Sequence, residues 1–212
     1  MKLLIFDTET TGLPKTREPA FKGENNWPHM VSIAWTVIDS DMKELRSEYH
    51  IVKPRWTIPE DSIAIHGITQ EKAEAEGKPL STIMQLFLET EHDKMVAHNM
   101  NFDYNVLVNA FLWDLKMVTP DFKPRYCTME FMRSIMRLPA ANNRGYKNPK
   151  LTELYEYVMK KKPEGTLHNA QTDTRLLTDI IKNSSLLQKM IGLSDELTIF
   201  PNAAKKARVL IL

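Results

Sequence analysis

Near its N-terminus the chain carries an apolar run, Lys2 to Phe6, broken only by its first lysine, that gives directly onto two acids at alternate positions, Asp7 and Glu9. Unbroken apolarity over that length reads as a strand buried on both faces, and such a strand demands a sheet covered on either side. In extended backbone, residues i and i+2 share a face, so Asp7 and Glu9 lie together at the end of the strand. Two like charges there repel and lose hydration. A raised pKa on one of them, or a cation between them, resolves the conflict. A turn-capping role for the pair is the alternative.

Gly12-Leu13-Pro14 ends this element, and Pro14 to His29 is polar, without periodicity, and reads as a long loop. Met30 to Ile38 is β-rich, Asp39-Ser40-Asp41 is turn chemistry, and Glu48 to Val52 reads as a returning strand. Helical spacing then marks Leu80 to Leu88, a segment capped by Asn101 and running to about Asp114, a stretch ending at Met136, Leu151 to Met159, and Ala170 to Lys182. Short strands are expected at Met95–Ala97 and Arg125–Thr128. The pattern is one α/β domain: an antiparallel meander followed by parallel strands, forming a mixed sheet flanked by helices. The expected domain spans the whole chain, with a core over about 2–182 and a C-terminal extension over 183–212.

Two further acids fall where packing alone would not put them. Asp103 is followed at i+3, i+4 and i+7 by Val106, Leu107 and Ala110, and Asp173 by Leu176, Leu177 and Ile180. Each aspartate therefore shares the apolar face of its helix, near the N-terminal end. Complementing the helix dipole explains either one alone. All four acids together suit a hard divalent cation such as Mg²⁺, which prefers oxygen ligands drawn from separate elements. Two such ions about 3.5–4 Å apart suit in-line phosphodiester displacement.

Composition narrows the class. The formal net charge of +1 creates no global positive field, which counts against a processive, high-affinity nucleic-acid binder but not against an enzyme gripping a few nucleotides. One cysteine, Cys127, excludes an internal disulfide and a cysteine-based metal cluster and fits a cytoplasmic compartment. The N-terminus is too short for a signal segment, and no apolar run is long enough to span a bilayer.

The same residues carry a resemblance. Phe6-Asp7-Thr8-Glu9-Thr10-Thr11-Gly12-Leu13, Ala97-His98-Asn99-Met100-Asn101-Phe102-Asp103 and His168-Asn169-Ala170-Gln171-Thr172-Asp173 resemble, in order and spacing, the three motifs of the DnaQ-like DEDDh 3′→5′ exonucleases, the family of the proofreading epsilon subunit of DNA polymerase III. Ile65-His66-Gly67-Ile68-Thr69 resembles a segment common between the first and second motifs, and the likeness runs from about Lys2 to Ile181. It implies a ribonuclease-H-like fold and two ions, Mg²⁺ or Mn²⁺. It also implies stepwise release of nucleoside 5′-monophosphates from a 3′ end. Asp7, Glu9 and Asp173 would hold the ion that binds the attacking water; Asp7, with Asp103 acting through water, would hold the second. His168 would be the general base, for which an imidazole's ordinary pKa near 6.5 is suited. Its approach through Pro163 to Leu167 is expected to let it close over substrate.

The partner implied is a nucleic acid, DNA ahead of RNA, with a DNA polymerase or another replication or repair protein as a possible associate and no membrane. The competing readings are an RNA exonuclease of the oligoribonuclease kind, a non-catalytic nucleic-acid-binding module, and a proofreading subunit. Among lesser candidates, Thr10 and Thr11 present backbone N–H groups to the terminal nucleotide or simply form a turn. Phe102 stacks on a base or joins the core. His98 and Asn99 orient Asp103 or touch substrate. His66 lines the site or caps the next helix. Arg144, Lys147 and Lys150 contact the nucleic-acid backbone or are merely solvated. The tail from Lys205 to Leu212 is a partner peptide, a closing strand or a frayed end.

Overall fold

The computed structural model describes residues 1–142, 144–164 and 168–193. Five strands form one sheet: β1 (Lys2–Thr10), β2 (Met30–Asp39), β3 (Glu44–Ile51), β4 (Lys94–Ala97) and β5 (Arg125–Cys127). Their order is β3-β2-β1-β4-β5. The first three pair antiparallel, and β4 and β5 run parallel to β1. Around them lie α1 (Glu60–His66), α2 (Gln70–Glu76), α3 (Leu80–Glu89), α4 (Met100–Asn109), α5 (Thr128–Met136), α6 (Leu151–Met159), α7 (Ala170–Lys182) and α8 (Ser185–Ile191). This is the expected mixed sheet between helical layers. None of the described helices is long and apolar enough to cross a membrane.

Period-two geometry divides β1 between two cores. Leu4 and Phe6 join Trp35, Ile83, Phe87, Val106 and Leu107 on the α3/α4 side, where Phe87 meets both Phe6 and Trp35 edge-on. Leu3 and Ile5 face Leu177, Ile181 and Ile191 from α7 and α8. All four β1 side chains are fully buried, as expected for a strand covered on both faces.

Several boundaries differ from expectation for physical reasons. The first strand does not stop at Phe6. It continues to Thr10 because β2 keeps pairing with it as far as Met30, so Asp7 and Glu9 lie within the strand rather than after it. The third strand starts earlier than Glu48, at Glu44, because the Asp39 carboxylate accepts from the Asp41 and Lys43 N–H groups and reverses the chain at once. Asn99, in the left-handed region at φ 83°, is the N-cap of α4, and not Asn101. The helix does reach Asp114, but its last turn, Ala110–Asp114, widens to π-helical form.

The segment from Pro14 to His29 is a folded loop. A single 3₁₀ turn, Ala20–Lys22, is held against α4 through Ala20 N–H to Asn105 Oδ1 at 2.8 Å, and the Trp113 indole N–H donates to the Ala20 carbonyl at 2.7 Å. The tail from Lys205 to Leu212 lies outside the described residues.

Candidate active site

Strand β1 outruns its neighbour. Its pairing with β4 covers only Leu3 to Ile5, so past that point one edge of β1 is open, and the first turn of α4 fills the space. There Asp103 takes the place of a neighbouring strand. The Thr8 N–H donates to Asp103 Oδ1 at 3.1 Å, and the Thr8 hydroxyl donates to the same oxygen at 2.8 Å. A carboxylate that is only 2% exposed is thereby anchored against the strand that carries Asp7 and Glu9.

The fourth acid arrives from α7. Asn169 caps that helix, its side-chain oxygen accepting from the Gln171 and Thr172 N–H groups at 3.0 and 3.4 Å. Thr174 bonds to the Ala34 carbonyl, which fixes the helix over β2. Asp173 then faces the odd-numbered side of β1. One carboxylate oxygen from each of Asp7, Glu9 and Asp173 can be chosen so that all lie within 4.8 Å of one another. Octahedral Mg²⁺ holds opposite oxygens about 4.2 Å apart, so the three fit a single hard divalent cation after slight side-chain closure. Asp103 stands outside this trio, yet among the charged neighbours it acts most strongly on Asp7.

The electrostatics are those of a cation site. Burial, then repulsion from Asp103, Glu9 and Asp173, holds the Asp7 carboxyl well above the ordinary carboxylate range. Burial and the charges of Asp173 and Asp103 push Glu9 up to about 8. Asp103 is raised by burial despite its two bonds from Thr8. Asp173 is pushed by burial to about 6, with the His168 charge and backbone N–H pulling the other way. Acids held this far above their usual values favour a bound positive charge.

His168 is exposed and lies in the left-handed region at φ 62°. Its charge and its N–H both act on Asp173, so it borders the cluster. Residues 165–167, most of the approach expected to close the site, lie outside the described residues.

The lesser candidates separate. Both ring nitrogens of His98 are committed inside the fold, to the Thr128 hydroxyl at 3.0 Å and the Pro149 carbonyl at 2.9 Å, which leaves no polar ring atom for substrate. Burial lowers its pKa to about 4, so the ring is a neutral brace. The Thr11 N–H does not point out of the chain but donates to the His29 carbonyl at 2.9 Å, and the Thr10 hydroxyl donates to the Gly12 carbonyl at 2.8 Å; both threonines shape the turn after β1. Phe102, half-buried, leans on Trp27 with ring centroids 5.7 Å apart. His66 does not cap α2, a role taken by Thr69; its Nδ1 accepts from the Ile68 N–H instead. Lys147 pairs with Glu153, while Arg144 remains exposed.

One neighbour went unseen in the sequence. Asp7 pairs with Ala34 and Ala34 with Tyr49 across the sheet, so Tyr49 is on the face of Asp7 and Glu9, two strands away. Burial raises the pKa of its hydroxyl, and hydrogen bonding with Asn169 and Ser32 pulls it partly back. The usable signal was register: small residues at Ser32 and Ala34 leave room for a large side chain from β3 to reach inward.

Comparison with known proteins agrees with the motifs. The sequence model of the exonuclease family RNase_T matches residues 4–181. A PolC-type DNA polymerase III of Thermotoga maritima is 28% identical over 197 residues, covering 90% of this chain but 12% of the polymerase. The chain thus spans about an eighth of the length of that curated relative. Among solved structures, Exonuclease X in complex with 5′ overhanging duplex DNA aligns with a TM-score of 0.58 at 24% identity, covering 90% of this chain and 98% of that one. The nuclease domain of 3′hExo, a DEDDh family member bound to rAMP, aligns with a TM-score of 0.67 at 13% identity, covering 91% and 94%.

Proposed function

This chain belongs to the RNase_T exonuclease family, and we propose that it is a metal-dependent 3′→5′ exonuclease of the DEDDh type acting on single-stranded 3′ ends of DNA, with its motif-bearing core forming one domain in a cytoplasmic protein. The observation that carries the reading is the convergence of Asp7, Glu9 and Asp173, with Asp103 beside them, at one strand end. Asp7, Glu9 and Asp173 would hold one Mg²⁺ or Mn²⁺ ion, and Asp7 with Asp103 would hold a second. Such a pair of ions would supply a polarised water and a counter-charge for the leaving 3′ oxygen.

The protein's own groups do the rest. His168, exposed at the edge of the cluster, takes the proton of the attacking water. Thr8 keeps Asp103 turned toward Asp7. Asn169 sets the start of α7, so that His168 and Asp173 keep a common frame. Asn99 and the open side of Phe102 flank the terminal nucleotide. Thr10 and Thr11 form its floor, and His98 braces the wall behind it.

Substrate choice is the finer part of the proposal. Exonuclease X is described with DNA and 3′hExo with an adenine ribonucleotide, so an RNA exonuclease is the second reading. Sugar choice depends on contact with the 2′-OH. Matched DNA and RNA oligomers, single-stranded and duplex, with Mg²⁺ or Mn²⁺ and with EDTA, test both. Faster mononucleotide release from single-stranded DNA is expected, and faster release from RNA would transfer the assignment. The PolC relative also raises a proofreading association, which co-purification with a DNA polymerase would test.

A further inference from the structure

We propose that Tyr49 is a positioning residue for the general base: its hydroxyl holds the Asn169 side chain and, through it, sets where His168 stands beside the carboxylates. The proposal rests on the exonuclease reading above, with His168 as the base, and adds to it a residue of β3 that lies outside all three motifs.

Register is the first argument. One row across the sheet is Asp7–Ala34–Tyr49, and the next on the same face is Glu9–Ser32–Ile51. Neighbouring strands lie about 4.8 Å apart, so Tyr49 starts about 10 Å from Asp7, with only the small Ala34 between them. The half-buried ring leans toward the second row, where it packs against the cluster that holds Ile51, Ile68 and Ala73. Helix α7 is fixed over these rows, because the Thr174 hydroxyl donates to the Ala34 carbonyl at 3.3 Å. Asn169 caps that helix, about 7.5 Å before Thr174 along its axis.

Chemistry is the second. The Asn169 side-chain oxygen is spent on the Gln171 and Thr172 N–H groups, so its NH₂ is the half left to donate. Asn169 and Ser32 are the side chains that hydrogen-bond with the Tyr49 hydroxyl, and Asn169 acts the more strongly. Both favour the ionised phenol, as donors to its oxygen do. A tyrosine beside Glu9 thus accepts from the residue that follows the base. Any large apolar side chain at position 49 could cover Ile51 and Ile68; the hydroxyl is the part that packing leaves unexplained.

His168 needs such a hold. It stands at φ 62°, a backbone region that a residue other than glycine keeps only when its surroundings fix it there. One hold is its own N–H, which acts on Asp173. Asp173 belongs to the trio that would take a cation, so that carboxylate would be shared between the two. Tyr49 stands outside the trio and grips the other side of His168 through Asn169.

The test is a double-substitution cycle of Tyr49→Phe and Asn169→Ala in the full chain. It reads kcat and KM for mononucleotide release with Mn²⁺ from a single-stranded oligomer of DNA or RNA, whichever the wild type shortens faster. Tyr49→Phe should lower kcat about tenfold, with KM and the Mn²⁺ requirement unchanged. In the Asn169→Ala background the same substitution should cost nothing further, since the hydroxyl acts through that amide. Equal losses in the two backgrounds, or no loss in the first, overturn the positioning role and leave the exonuclease reading standing. A changed KM or Mn²⁺ requirement with unchanged kcat puts Tyr49 on the substrate or the ions instead, and overturns it too. Phenylalanine keeps the ring in its apolar cluster, so a variant that no longer folds makes the hydroxyl structural, with the same result. Shortening of neither oligomer by the wild type overturns the exonuclease reading, and the role of Tyr49 with it.

Discussion

Glu9, with its pKa pushed up to about 8, keeps its proton at neutral pH unless a cation displaces it. That single residue ties stability to pH and to metal. Carboxyl groups whose pKa is raised on folding bind protons more tightly in the folded state than in the unfolded chain. Their contribution is therefore fully favourable below about pH 4. It is lost as pH climbs through about 6 for Asp173 and about 8 for Glu9. In EDTA the Tm should fall between pH 5 and pH 8. Added Mn²⁺ should raise it more at pH 8 than at pH 5, by about 5–10 °C at a hundredfold excess over Kd. A Tm in EDTA that rises with pH over this range would contradict the assignment of these four acids to one cluster.

Thr8 gives a second prediction at the same scale. Thr8→Val removes the 2.8 Å hydroxyl bond to Asp103 and keeps the backbone one. It should lower stability by about 1–3 kcal/mol and activity by about tenfold, read by chemical denaturation and by nucleotide release. The four carboxylates themselves were legible in the sequence, because i, i+2 and i, i+3, i+4 spacing reports the face on which a side chain lies. Thr8 and Tyr49 were not. Their partners sit 95 positions away for Thr8 and across two strands for Tyr49, and no local period carries such information.

Elements differ in how much of themselves they write locally. Helix α7 was readable to its ends because it combines an Asn cap, an acid in the first turn and an apolar stripe over 13 residues. Helices α1, α2 and α8 are only seven residues each, two turns, too short for a 3.6-residue period to stand out from loop composition. The loop before β2 looked structureless because its order comes from α4, through Asn105 and Trp113, and not from its own sequence. Asn169→Ala tests the most functional of these ends. Loss of the cap of α7 should cost about 1 kcal/mol. It should also lower kcat, since His168 and Asp173 sit on either side of that residue. Unchanged kcat with the expected loss of stability would separate the cap from catalysis. His98→Ala should cost about 2 kcal/mol by leaving Thr128 and Pro149 without their shared partner.

Over the whole molecule, the sheet order explains why the carboxylates meet where they do. Strand β1 is central, longer than β4 and flanked by β2, so its C-terminal half has one edge free for α4 and one face free for α7. The two helices converge there from opposite faces of the sheet, each bringing one aspartate. If that convergence is a cation-dependent centre for hydrolysis, Asp7 is its common ligand. The direct measurement follows a 5′-labelled single strand incubated with the protein and Mn²⁺, for the wild type and Asp7→Asn. The expected result is a ladder shortening one nucleotide at a time from the 3′ end, abolished by EDTA and slowed about a hundredfold or more in the variant. An undiminished ladder from Asp7→Asn, or no shortening of DNA or RNA by the wild type with either metal, would contradict it.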